Sequence, residues 1–233
     1  MPTEILSGKA TPGNNTKVEN VSRRNFLRYA GATTAGGMLL VAACKKDDND
    51  MNNGGVDLGS GDTGILNYAY ALEQLEAAFY TQVVLTPYTG ITDNEKALMT
   101  DIRDHEIAHR EFFKTALGTS AIAGLEVDFS TIDFASRTSV LGTAKAFEDL
   151  GVSAYNGAGR LITNPDYLVL AGKIVSVEAR HAALIRDLIS NGTFADNTVV
   201  DANGLDKSRT PSEVLAIAGT YVKTKINASR LPS

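Results

Sequence analysis

A chain of 233 residues with a formal charge of −5 lacks the basic excess that nucleic-acid binding requires. Its single cysteine, Cys44, excludes an internal disulfide framework and any cysteine-built zinc site. Tryptophan is absent, and alanine and leucine dominate the apolar content, which favours helices over a β-sandwich.

The first 43 residues read as an address. Ser22-Arg23-Arg24-Asn25-Phe26-Leu27-Arg28 resembles a twin-arginine export signal, with Arg23 and Arg24 as the pair. The mildly apolar run Tyr29 to Ala43 is too short to span a bilayer comfortably but suits a signal-peptide core. It ends in Val41-Ala42-Ala43-Cys44, which resembles a bacterial lipobox. That resemblance implies cleavage before Cys44 and lipid on its thiol. The expected product is exported by the twin-arginine route and held to a membrane of the bacterial cell envelope through Cys44, in the periplasm or at the cell surface. Residues 44–62, lysine, then acidic, then Gly/Asn-rich, are expected to be a flexible tether. Their Lys-Lys-Asp-Asp start fits a surface-export tag of some bacterial lipoproteins and equally a plain solvated linker.

Punctuation then places five helices. The first covers about Gly64 to Val84, before Pro87 and Gly90. The second opens at Thr92-Asp93-Asn94-Glu95, a capping box, and runs to about Leu117, where Gly118 stops it. The third covers roughly Ser139 to Leu161. Asn164-Pro165 opens the fourth, which ends near Asn191-Gly192. Thr210-Pro211-Ser212-Glu213 opens a short fifth helix to about Asn227. Short connections make helices 1 and 2, and helices 3 and 4, antiparallel neighbours. The stretch of about 20 residues from Gly118 to Thr138 needs a reason, and a bundle with one long crossover supplies it. The expected architecture is therefore all-α, with residues 63–205 forming a four-helix bundle and residues 206–233 a C-terminal helix and tail.

The chemistry lies in a duplicated pattern. Two of the three histidines follow a glutamate by three positions, in Glu106-Ile107-Ala108-His109 and Glu178-Ala179-Arg180-His181. With eleven glutamates in the chain, that coincidence is roughly a one-in-a-hundred event. Residues three apart on a helix share a face, so each pair can offer a carboxylate and an imidazole to one metal ion or to two adjacent ions. The first and third helices repeat a second pattern, Glu73 with Tyr80 and Glu148 with Tyr155, each tyrosine seven residues on. Glu76 competes with Glu73 for the same face, but the tyrosine spacing favours Glu73, because Gly151 fills the position matching Glu76.

With these motifs the chain resembles the ferritin-like superfamily. Within it, Phe147-Glu148-Asp149-Leu150-Gly151-Val152-Ser153-Ala154-Tyr155 and Glu178-Ala179-Arg180-His181-Ala182 resemble exported ferritin-like proteins grouped with desiccation-related proteins. The resemblance covers about residues 64–190. It implies a ferritin-like four-helix bundle holding two divalent ions, iron or manganese, with dioxygen or peroxide as the small-molecule substrate. By the family's pattern Glu106 and Glu178 bridge the ions, Glu73 and Glu148 are terminal carboxylates, and His109 and His181 are nitrogen ligands. Glu76, Tyr80 and Tyr155 would stand just behind them. Independently, four carboxylates and two divalent ions balance in charge, whereas four buried glutamates alone would be costly.

Two other readings use the same residues. His105-Glu106-Ile107-Ala108-His109 also fits the zinc-protease motif His-Glu-x-x-His, but that leaves Glu73, Glu148, Glu178 and His181 without a role and makes His105 a ligand instead of a flanking residue. A metal-free structural or partner-binding envelope bundle is the other reading, with Lys145 or Arg103 turned inward to neutralise the glutamates.

Overall fold

The computed structural model describes residues 55–233, so Arg23, Arg24 and Cys44 lie outside the described residues. Four long helices dominate: α1 (Gly61–Leu85), α2 (Asp93–Leu117), α3 (Arg137–Gly159) and α4 (Pro165–Ile189). A short α5 (Pro211–Ala218) follows. The starts of α2, α4 and α5 are those the sequence marks. Thr92 and Glu95 close a capping box on α2, and Thr210 and Glu213 close another on α5. Asn164 caps α4 ahead of Pro165, and Ser136 caps α3.

Side-chain ties across the bundle fix the directions. Asn67, early in α1, donates to the Ser120 carbonyl and accepts from the Ile122 amide, just past the end of α2. Helices α1 and α2 are therefore antiparallel. Arg137, first in α3, forks onto Glu95 at the start of α2 and donates to the Leu188 carbonyl at the end of α4. So α3 runs parallel to α2 and antiparallel to α4. Asp62, in the first turn of α1, accepts from the Thr163 and Asn164 amides between α3 and α4. Only a crossover along the bundle, from Gly118 to Ser136, connects such a set. It packs down through Phe129 and Phe134, whose rings lie 6.0 Å from Phe79 in the core.

Two differences from the sequence reading stand out. Helix α1 starts at Gly61, three residues earlier than expected, because Asp62 is held by the α3–α4 turn. The fifth helix does not reach Asn227. It stops at Ala218, passes through a 3-10 turn at Gly219–Tyr221, and leaves Ile226–Asn227 (β2) extended. This strand pairs in parallel with Val56–Asp57 (β1), the Val56 amide donating to the Lys225 carbonyl and the Leu58 amide to that of Asn227. Gly219 and the β-branched Thr220 and Val222 are poor helix formers, and the strand pairing offers their neighbours backbone partners instead. This ladder lies outside the bundle, and it draws residues of the expected tether into the fold. Among the described residues no helix is long and apolar enough to cross a membrane.

The C-terminal segment seats closely on α3. A Cβ on Gly157 would fall 1.7 Å from the Arg209 carbonyl oxygen, so only glycine admits this approach.

Candidate metal centre

Each bundle helix contributes to one buried polar cluster. Glu73 comes from α1, Glu106 and His109 from α2, Glu148 from α3, and Glu178 and His181 from α4. All four glutamates are fully buried. The helices that carry Glu73 and Glu148 also supply the core residues Leu72, Leu75 and Phe147. Carboxylates in such surroundings require partners of equal strength.

The six side chains form two overlapping groups. Glu73, Glu106, His109 and Glu178 each offer one ligand atom to the first, and Glu106, Glu148, Glu178 and His181 to the second. Within each group the ligand atoms lie within 4.8 Å of one another. Two donors opposite each other on one ion, each at roughly 2.1 Å, would be about 4.2 Å apart, so only slight tightening would close either group. Glu106 and Glu178 belong to both groups and can bridge.

The contacts inside the cluster are ion-pair distances without hydrogen-bond direction. His109 Nδ1 lies 2.8 Å from Glu178 Oε1 and 3.4 Å from Glu73 Oε2. His181 Nδ1 lies 2.8 Å from Glu106 Oε1 and 3.5 Å from Glu148 Oε2. Among the described residues none of these atoms finds a hydrogen-bond partner, nor do the remaining oxygens of Glu106 and Glu178. Buried donors and acceptors that crowd together without aligning on each other surround a place for something else.

The tyrosines fix the outer carboxylates reciprocally. Tyr80 on α1 donates to Glu148 Oε1 on α3 at 2.5 Å, and Tyr155 on α3 donates to Glu73 Oε1 on α1. Each tyrosine thus holds the glutamate of the other half and leaves that glutamate's Oε2 facing the cluster.

Residues 61–191 match the family model described as the ferritin-like domain, more than half of the chain. The chain belongs to the ferritin-like domain family. Comparison with curated proteins finds no match. The ferritin-like match covers all four bundle helices up to Ile189 and with them all six clustered residues. One Glu from each of two helices plus a Glu-x-x-His from each of the other two is a recurring donor set for dinuclear sites in such bundles.

Electrostatics show the same unmet demand. Burial, then repulsion from Glu178, raises the Glu73 carboxyl well above its usual range. Burial likewise lifts Glu148, to about 8. Burial also opposes ionisation of Glu106, but the imidazoles of His109 and His181 beside it prevail and bring it down to about 2. Those imidazoles lose hydration, yet the surrounding carboxylates hold both up at about 12. With no metal bound the cluster therefore keeps extra protons, which divalent ions would displace.

The neighbours named in the sequence reading take distinct places. Glu76 is buried beside Gly151, where a Cβ would meet its Oε1 at 3.2 Å, and stands outside both ligand groups. Arg103 is paired with Asp104 on its own helix, and among the described residues the clustered glutamates make ion-pair contacts with His109 and His181 and not with Arg103 or Lys145. His105, exposed on α2, touches His181 Nε2 and not the carboxylates, so it does not join His109 around one ion as a zinc-protease site would require. Sequence reasoning did not single out Asn67, Gln74 or Arg186, buried polar residues that tie loops to the bundle. None of the three carries a spacing signal.

Proposed function

We propose that this ferritin-like protein holds two divalent ions, iron or manganese, and reacts with dioxygen or peroxide as part of protection against oxidative or desiccation stress. We further propose that it works at the cell envelope, exported by the twin-arginine route and anchored through lipid on Cys44. The observation that carries the metal reading is the pair of four-ligand groups sharing Glu106 and Glu178. Oxygen and imidazole donors without a thiolate suit iron and manganese better than softer ions. When bound, such an ion pair supplies electrons to dioxygen or peroxide and accepts them from a reductant such as ferrous ion.

The chain's own residues set the conditions for that chemistry. Glu106 and Glu178 would bridge, Glu73 and Glu148 would hold one ion each, and His109 and His181 would bind through Nδ1. Tyr80 and Tyr155 keep the outer carboxylates from rotating away. The full burial of all four glutamates keeps bulk water from them and strengthens each electrostatic contact.

The test is anaerobic loading of the metal-free protein with ferrous ion, followed by oxygen or peroxide and recording of consumption and visible absorption. Wild-type protein is expected to consume oxidant in proportion to two metals per chain. Glu178→Ala, lacking one bridge, is expected to lose both the pair and the reactivity. A Glu178→Ala protein with two metals and undiminished consumption would refute the assignment. Failure of wild-type protein to bind metal would instead leave a structural bundle.

A further inference from the structure

The two halves of the bundle superimpose their ligands in sequence but not their surroundings. Glu106 and His109 correspond to Glu178 and His181 at a constant offset of 72, which pairs His105 with Val177. One half therefore carries an additional imidazole where the other carries an aliphatic side chain. That imidazole does not hang free in solvent. His105 Nδ1 lies 2.9 Å from His181 Nε2. The ring planes are 18° apart with centroids 5.2 Å apart, the separation of two imidazoles meeting edge to edge along that nitrogen–nitrogen line. This is hydrogen-bond geometry, and it lies on the side of His181 away from the carboxylates. Among the described residues His109 shows no such partner. Its ring is 6.4 Å from that of His181, and its side chain is 14% exposed against 6% for His181.

We propose that His105 is a positioning residue that makes the two metal places inequivalent, so that an ion binds first and more tightly beside His181 and second beside His109. The inference rests on the dinuclear reading above and deepens it. An imidazole that gives its Nδ1 lone pair to an ion must carry its remaining proton on Nε2. From there His181 donates to His105 Nδ1; this bond fixes the ring plane before an ion arrives and keeps the Nε2 proton in place when Nδ1 gives its proton up to an ion. Outer partners of this kind are worth 10–100-fold in metal affinity. Among the described residues His109 shows no outer bond of this kind, so its place fills later and empties sooner. The asymmetry gives a dinuclear centre one retained ion and one exchangeable ion, as a site that takes in and releases ferrous ion requires.

The experiment is titration of the metal-free full chain with Mn2+ alone, followed by heat and by the electron paramagnetic resonance of free Mn2+. Crystals soaked at subsaturating Mn2+ identify the occupied place by anomalous scattering. Wild-type protein is expected to show two separated dissociation constants, with the first ion beside His181. His105→Leu is expected to weaken the first ion 10–100-fold and leave the second unchanged. His105→Asn, whose side-chain oxygen can accept the Nε2 proton, is expected to restore most of the loss. His105 is exposed, so neither change removes packing from the core. Unchanged first-ion affinity in His105→Leu, or a subsaturating ion beside His109 in wild type, overturns the inference and leaves the dinuclear reading standing. Absence of any Mn2+ binding to wild type overturns both.

Discussion

Replacing Glu148 by glutamine should strengthen the metal-free protein while destroying what the glutamate is there for. Glu148 is fully buried, and burial raises its carboxyl from the ordinary 4.5 to about 8. The folded state therefore binds that proton more tightly than the unfolded chain does. The contribution of Glu148 to stability must fall as pH rises from 4.5 towards 8 and level off beyond it. At about 1.4 kcal/mol per pH unit, the penalty at pH 7 is on the order of 3 kcal/mol. Glu148→Gln keeps a carbonyl oxygen for the Tyr80 hydroxyl and nearly the same volume but carries no charge. Urea unfolding of metal-free protein should show the variant about 3 kcal/mol more stable at pH 7 and equal to wild type near pH 4.5. Saturating Mn2+ should reverse the order, since each ion at a hundredfold excess over its dissociation constant stabilises wild type by about 2.7 kcal/mol. Equal stability of the two metal-free proteins from pH 5 to 8 would refute the electrostatic reasoning. So would a variant that gains as much from Mn2+ as wild type.

Other expectations follow from separate features. Gly157→Ala should cost at least about 2 kcal/mol, because its Cβ collides with the Arg209 backbone and threatens the bonds from Arg209 to Ser153. Gly142→Ala on the same helix meets nothing within 4 Å and should gain up to about 1 kcal/mol; thermal unfolding of the pair checks both. Metal binding should release protons, because His109 and His181 are held protonated up to about 12 and must give up their Nδ1 protons. Apparent affinity should thus rise with pH, which calorimetry in buffers of different ionisation enthalpy measures directly; proton uptake would contradict it. Cys44→Ser should release the protein from membranes in its host, and undiminished membrane association after fractionation would sink the lipid anchor.

The bundle was legible because its signals are local. The capping box at Thr92 and Glu95, Pro165 behind Asn164, and the long stretch from Gly118 to Ser136 each have one physical meaning, and together they define the order and direction of four helices. The site was legible because helical spacing projects Glu106 with His109, and Glu178 with His181, onto single faces, and the structure brings these together with Glu73 and Glu148. Preference for Glu73 over Glu76 came from a repeat; Glu76 belongs to neither ligand group, lying beside Gly151 within electrostatic reach of all four clustered glutamates. What spacing could not convey is partnership across helices. Tyr80 shares a helix with Glu73 but bonds to Glu148, and Tyr155 does the converse. The end of the fifth helix was misread because Ile226 and Asn227 are extended by pairing with Val56 and Asp57, about 170 residues away, which no local pattern records.

The central claim is that six side chains from four helices enclose two places for metal. Anomalous diffraction from crystals of the full chain saturated with Mn2+ tests it most directly. The account predicts two peaks per chain roughly 3.5–4 Å apart, both within bonding distance of Glu106 and Glu178, one beside His109 and the other beside His181. No peak in the cluster, or a single peak ligated by His105 and His109 together, would contradict it.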